Sequence, residues 1–230
     1  MCGRYILSRA DEIRERFFAD TDGLDLQPCY NVCPDRIMPV IVSAGNNRLE
    51  MMKWGLIPFW SKEPKSLAIN ARAEEILNKP SFRKPIRFAR CLIPATGYYE
   101  WKKEGAGKTP FHIRRKDGRL FAFAGIFDTW SDPELGEVKT FAIITKEANE
   151  AMAQVHNRMP VILTPKQENL WLTTEPGKTG WLLDSLGPLP QDEFEMYPVA
   201  KAVNFAKNDW PGLIDRLKPT VRPIVFPPSV

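Results

Sequence analysis

The chain is poor in metal-binding side chains: two histidines, His112 and His156, and four cysteines, Cys2, Cys29, Cys33 and Cys91, stand among 230 residues. Cys29 and Cys33 are spaced C-x3-C with no histidine or second cysteine pair beside them, so reduced thiols are a better reading than a structural zinc site. No metal and no cofactor is expected. No apolar run approaches the roughly 20 residues of a membrane span, and no basic stretch followed by an apolar one stands near Met1. These absences predict a cytoplasmic protein without a membrane partner, its thiols reduced. Neither charge dominates: 32 Lys and Arg against 28 Asp and Glu leave +4, too mild to indicate nucleic acid from composition. Also lacking are a Gly/Ser linker, an internal repeat and a low-complexity segment, so one domain over 1–230, acting as a monomer, is expected. At 43% hydrophobic and 26% charged residues, disorder, collagen and coiled coil are excluded.

Proline is in excess, 21 residues against a usual share of roughly 5%, and its even spread predicts short helices. Ser8 followed by Asp11 reads as a capping box ahead of a helix carrying Ile13 and Phe17 on one face. Residues 36–50 read as strand, Gly45-Asn46 turn and strand. Ala73–Leu77 forms a short helix ended by Pro80. After Pro85 the chain turns strand-rich, with a hairpin turn expected at Asp117-Gly118. Ala148–Val155 reads as a helix, RMPVIL as a buried strand, and Thr164-Pro165 as an N-cap and first helical position. FEMYPVAKAVN supplies a last strand, and the tail from Pro219 lies extended. Interleaved strands and short helices predict an α+β fold: a curved, barrel-like, mainly antiparallel sheet with short flanking helices.

Chemistry concentrates at Cys2. Aminopeptidases remove an initiator methionine when the next side chain is small, which would leave Cys2 with a free α-amine beside its thiol. With ordinary pKa values of about 7.7–8.0 and 8.5, both groups are available as nucleophiles near neutrality. Such a 1,2-aminothiol condenses with an aldehyde to an imine, and the thiol then closes a five-membered thiazolidine. On this dipeptide alone, a small buried cysteine of the first strand is the stronger reading. Two further residues suit proton transfer: Glu100, set among aromatics in Gly97-Tyr-Tyr-Glu-Trp101, and His156, in His156-Asn-Arg158 after a helix.

Met1-Cys2-Gly3-Arg4-Tyr5, Tyr30-Asn-Val-Cys-Pro34, Trp54-Gly, Asn70-Ala-Arg72, Gly97-Tyr-Tyr-Glu-Trp101, His156-Asn-Arg158 and Pro198-Val-Ala-Lys-Ala-Val-Asn204 occur in that order. Together they resemble the SRAP (SOS response-associated peptidase) family, whose members attach covalently to abasic sites in single-stranded DNA. The likeness covers the chain to about Asn208. It implies that Cys2 bonds the ring-opened abasic aldehyde, that Asn70 orients the amine or the sugar, that Glu100 shuttles protons, and that His156 is an acid/base toward the opened sugar. It also implies phosphate contacts from Arg4, Arg72 and Arg158, stacking or wedging by Trp60, Trp101 and Pro34, and contacts in the same cleft from Asn31, Thr145 and Lys207. The implied partner is single-stranded DNA containing abasic sites, with strand-cleaving lyase activity as an extension. Two other readings stay open: a thiol peptidase using Cys2 with Glu100 and His156, and a single-strand-binding module in which Cys2 is structural.

Overall fold

Runs of β-branched and aromatic residues favour strands here, and the pairing of those strands places every residue of interest. The computed structural model describes residues 2–21, 23–62, 67–186 and 191–217. Its strands are β1 (Arg4–Leu7), β2 (Cys29–Val32), β3 (Ile37–Ser43), β4 (Asn47–Trp54), β5 (Asn70–Arg72), β6 (Arg90–Ala95), β7 (Gly97–Glu104), β8 (Gly107–Arg115), β9 (Phe121–Asp132), β10 (Gly136–Glu147), β11 (Arg158–Pro160), β12 (Ile162–Leu163) and β13 (Phe194–Pro198). The helices are α1 (Ile13–Phe17), α2 (Pro85–Phe88), α3 (Glu150–Ala153), α4 (Pro165–Thr173) and α5 (Thr179–Asp184).

Five strands close into a barrel. β4, β3, β6 and β9 pair antiparallel in that order. β10 completes the ring, antiparallel to β9 and parallel to β4. The barrel is filled by large apolar groups, with Trp54 stacked on Phe141 at 6.4 Å between ring centres. Beyond the ring, the far end of β10 carries β5 in parallel (Ile143–Asn70 to Thr145–Arg72) and β11 antiparallel (Thr145–Pro160 to Glu147–Arg158).

A second, antiparallel sheet runs β13-β8-β7-β1-β2. Side chains alternate between the faces of a strand, and this sheet uses both. Tyr5 and Tyr98 turn toward the barrel, where Tyr5 meets Trp54 edge-on at 5.2 Å and Phe123 at 6.0 Å. Ile6 and Tyr99 turn the other way and pack with Tyr197, Val199 and Val203 in a separate apolar cluster. The residues following β13 thus roof the outer face of this sheet.

The α+β architecture with a barrel-like sheet is the one expected from the sequence, and helices are short, α4 at 9 residues being the longest described. Its start is also as expected: Thr164 caps it, Pro165 occupies the first turn, and Gln167 completes a capping box. Several local expectations need correction, among them the last strand, which ends at Pro198 and gives way to a 3-10 turn over Lys201–Asn204. Ser8 does not cap a helix, because its backbone N–H and hydroxyl are both bound at 3.0 Å to Thr96 Oγ1 at the barrel-to-sheet crossing; Ala10–Glu12 forms a 3-10 turn instead. Asp117-Gly118 makes a tight turn, with Gly118 at φ +69°, yet β8 and β9 do not pair: they belong to different sheets. The hairpin partner of β8 is β7, joined through Gly105 at φ +57°. RMPVIL splits into β11 and β12, which pair with β10 and β9 respectively. The Ala73 segment is a 3-10 turn over Ala73–Glu75, and the proline-rich stretch from Pro219 lies outside the described residues.

Candidate active site and nucleic-acid interface

Cys2 precedes β1 and is fully buried. Its Sγ lies 3.9 Å from the Arg4 carbonyl, and its own carbonyl accepts a 2.9 Å hydrogen bond from Asn70 Nδ2. Asn70 opens β5, which the last residues of β10 hold in register. The other end of the same amide, Asn70 Oδ1, is buried and has no hydrogen-bond partner among the described residues. An acceptor is therefore left within reach of the Cys2 backbone. Burial pushes the Cys2 thiol well above its ordinary pKa, and the negative charge of Glu100 pushes it further in the same direction. The thiol is thus held protonated at rest.

Glu100 is only 5% exposed. It lies two residues beyond Tyr98 on β7 and so shares the barrel-side face. Burial raises the Tyr98 hydroxyl above its ordinary pKa, with Glu100 acting in the same direction, and that hydroxyl donates to Met152 Sδ at 2.9 Å. That contact ties β7 to α3, whose end delivers His156: the His156 N–H reaches the Met152 carbonyl at 3.0 Å. The backbone N–H of Arg158 donates to His156 Nδ1 at 3.0 Å. With Nδ1 an acceptor, the neutral ring carries its proton on Nε2.

Arg158 and Arg72 flank Thr145, which is fully buried. Arg158 grips Glu74 bidentately at 2.8 and 3.0 Å and reaches the Thr145 carbonyl at 2.9 Å. Its side chain is 12% exposed. Arg72 is 53% exposed, its nearest acidic partner Glu75 being 3.9 Å away. Of the two forks, Arg72 is the open one.

The structure therefore gathers Cys2, Asn70 and Glu100, with α3 leading to His156 and β10 bringing Arg72, Thr145 and Arg158. It does not bring Arg4, Asn31 and Trp101 into that group. Arg4 and Trp101 belong to the opposite face of β1 and β7 by the same alternation that directs Glu100 to the barrel. Arg4 binds Asn31 Oδ1 (2.9 Å), the Val203 carbonyl (2.7 Å) and the Asn204 carbonyl (3.2 Å). Asn31 is fully buried and donates to the Phe205 and Asn208 carbonyls at 3.2 and 2.8 Å. Trp101 Nε1 donates to Asn204 Oδ1 at 2.8 Å. Pro34 follows Cys33, whose thiol faces the Ala206 carbonyl at 3.7 Å; Lys207 is exposed on that same loop. Trp60, 54% exposed, sits on a loop fixed to β9, where Asp128 accepts from the Phe59 N–H at 3.0 Å and Trp130 donates to the Ser61 carbonyl at 2.7 Å.

Sequence reasoning did not single out Tyr98, Glu74 or Met152. Tyr98 was within reach, since a period of two pairs it with Glu100; Glu74 and Met152 meet their partners only through tertiary contacts. Cys29 and Cys33 do not converge: Cys29 Sγ lies 3.1 Å from Asp209 Oδ2 and burial pushes its thiol up to about 12, while Cys33 Sγ contacts the Asn31 carbonyl at 3.3 Å.

A buried thiol close to a carboxylate and an amide is an arrangement for nucleophilic attack on a carbon electrophile. Known proteins resemble this chain over nearly its whole length. An abasic site processing protein of Bacillus subtilis (strain 168), YoqW, is 44% identical over 223 residues, covering 94% of this chain and 99% of its own length. YedK of Escherichia coli (strain K12), also an abasic site processing protein, is 32% identical over 223 residues, covering 93% and 99%. A crystal structure of a Bacteroides thetaiotaomicron protein superposes with a TM-score of 0.82 at 33% identity, covering 94% of this chain and all of that one. The sequence profile of the SOS response associated peptidase (SRAP) family matches residues 1–206, and the chain belongs to that family.

Proposed function

We propose that the protein processes abasic sites in single-stranded DNA by bonding them covalently through Cys2. The observation that carries this reading is the buried Cys2 itself, held by Asn70 through its carbonyl and subject to the charge of Glu100. The names of the relatives support the same substrate.

With Met1 removed, the α-amine of Cys2 attacks C1′ of the ring-opened sugar. Asn70 Oδ1 is the acceptor that orients the amine. The carbinolamine loses water to give an imine, with Glu100 and His156 as the proton carriers. The thiol then adds to C1′; its proton passes through Glu100 to the imine nitrogen, and the thiazolidine closes. A thiol held protonated suits this order, because the amine must react first. His156, presenting Nε2–H, is the acid toward the sugar ring oxygen as the ring opens. If the imine instead loses its 3′ phosphate by β-elimination, the outcome is lyase cleavage. Arg72 offers an open guanidinium to a flanking phosphate, and Arg158 offers one once it shares its hold on Glu74. The activity belongs in the cytoplasm, where buried thiols stay reduced.

A peptidase nucleophile requires a lowered thiol pKa, and both burial and Glu100 act in the opposite direction on Cys2. The covalent DNA reading therefore stands first.

Mixing the mature protein with a single strand carrying one abasic site is expected to give a heat-stable shifted band on a denaturing gel. Cys2→Ala, or prior capping of the aldehyde with methoxyamine, abolishes it. A band that survives either treatment sinks the proposed bond.

A further inference from the structure

The segment 203–209 leaves a 3-10 turn over Lys201–Asn204 and is heavily bound along its length. Arg4 takes the Val203 and Asn204 carbonyls, and Asn31 takes those of Phe205 and Asn208. Trp101 holds the Asn204 side chain, and Asn208 Nδ2 reaches back to the Ala202 carbonyl at 2.7 Å. At the end of the loop, Asp209 accepts from the Tyr30 N–H at 2.6 Å and from Arg36 at 2.7 Å. A buried asparagine and two arginines are thus committed to fixing a backbone. The side chain of Phe205, on that fixed backbone, is 70% exposed. Lys201 and Lys207, on either side of it in sequence, are exposed as well.

This loop lies over the face of β1 and β7 opposite the one that carries Glu100. Arg4, which holds it, stands two residues from Cys2, and Trp101, which also holds it, is next to Glu100. An aromatic ring presented on a pre-ordered backbone between cations, on the strands that carry the candidate site, has the character of a base-stacking platform. We infer that Phe205 stacks on a base of the bound single strand where the strand passes over this face, with Lys207 against the adjoining phosphate. Arg4 and Asn31 then serve DNA indirectly, by holding the loop that touches it. This inference rests on the single-strand reading above and adds to it a binding residue that the sequence motifs do not mark.

Fluorescence anisotropy on a labelled, undamaged single strand tests it with the wild-type chain, Phe205→Ala, Phe205→Trp and Phe205→Leu. Since stacking is worth about 1–3 kcal/mol per base, Phe205→Ala is expected to weaken binding on the order of tenfold. The salt dependence stays unchanged, because no charge is lost. Phe205→Trp is expected to bind like wild type, and Phe205→Leu like the alanine variant. Equal affinity for wild type and Phe205→Ala overturns the inference, as does full recovery by leucine, which would make the contact merely apolar. The abasic-site gel keeps the two claims apart. A wild-type chain that forms the adduct yet binds independently of residue 205 removes only the platform, whereas one that forms no adduct removes the covalent reading whatever Phe205→Ala does.

Discussion

In the proposed reaction the Cys2 thiol and the Asn70 amide have separate tasks. Burial and the Glu100 charge keep the thiol protonated, so in the proposed reaction the first attack falls to nitrogen, and Asn70 is the side chain that holds the residue bearing that nitrogen. Losing one buried hydrogen bond costs about 1–3 kcal/mol. Asn70→Ala is therefore expected to slow single-turnover adduct formation by roughly tenfold or more, while Cys2 still supports some product. A rate equal to wild type would remove Asn70 from the chemistry. Cys2, Glu100 and His156 were readable as candidates because their chemistry is visible in the residue types. The fates of Arg4 and Asn31 were not: nothing in Met1-Cys2-Gly3-Arg4 states that the guanidinium reaches carbonyls some 200 residues on.

β8 carries a buried group of a different kind. His112 sits between Tyr99 of β7 (ring centres 5.7 Å apart) and Tyr197 of β13 (5.2 Å), with its Nδ1 3.4 Å from the Ile214 carbonyl. Burial lowers its pKa to about 4; the Ile214 contact and Glu195 work against that shift, and Arg114 adds to it. The ordinary value near 6.5 applies when the chain unfolds. The unfolded chain therefore binds more protons between these values, so the stability that neutral His112 contributes is fully present above about pH 6.5 and is lost as pH falls toward 4. The full loss is on the order of 3 kcal/mol. Melting temperature against pH is expected to fall more steeply over that window for wild type than for His112→Gln; parallel curves would contradict it. Elements with local signals were legible, such as α4 with its Thr164-Pro165 start and the β3–β4 hairpin about Gly45. The Asp117-Gly118 turn misled because a turn signal fixes the reversal and not the partner. Phe121 was free to join the barrel while β8 stayed with β7.

The whole molecule joins a closed barrel to a second sheet, and its site lies where the two meet. Closure depends on a short parallel contact between β10 and β4, Thr140–Lys53 and Phe141–Trp54, across nearly ninety residues of chain. Alternation of apolar residues indicates a curved sheet but cannot say which edges meet, so the ring itself was not legible. What the fold accomplishes is to bring the residue after Met1 against β5 and β7, and to hold the 203–209 loop over the other face of the same strands. A net charge of +4 says little about a DNA partner, because exposed cations such as Arg48, Arg119 and Lys178 lie away from the site while Arg72 stands open at it. The central claim is a bond to both heteroatoms of a processed N-terminus, and the mass of the DNA adduct after nuclease and protease digestion tests it most directly. The account predicts a chain lacking Met1, with the sugar remnant confined to the Cys2-Gly3-Arg4 peptide and no free thiol at Cys2. A remnant on any other residue, or an adduct in which Met1 is retained, would contradict it.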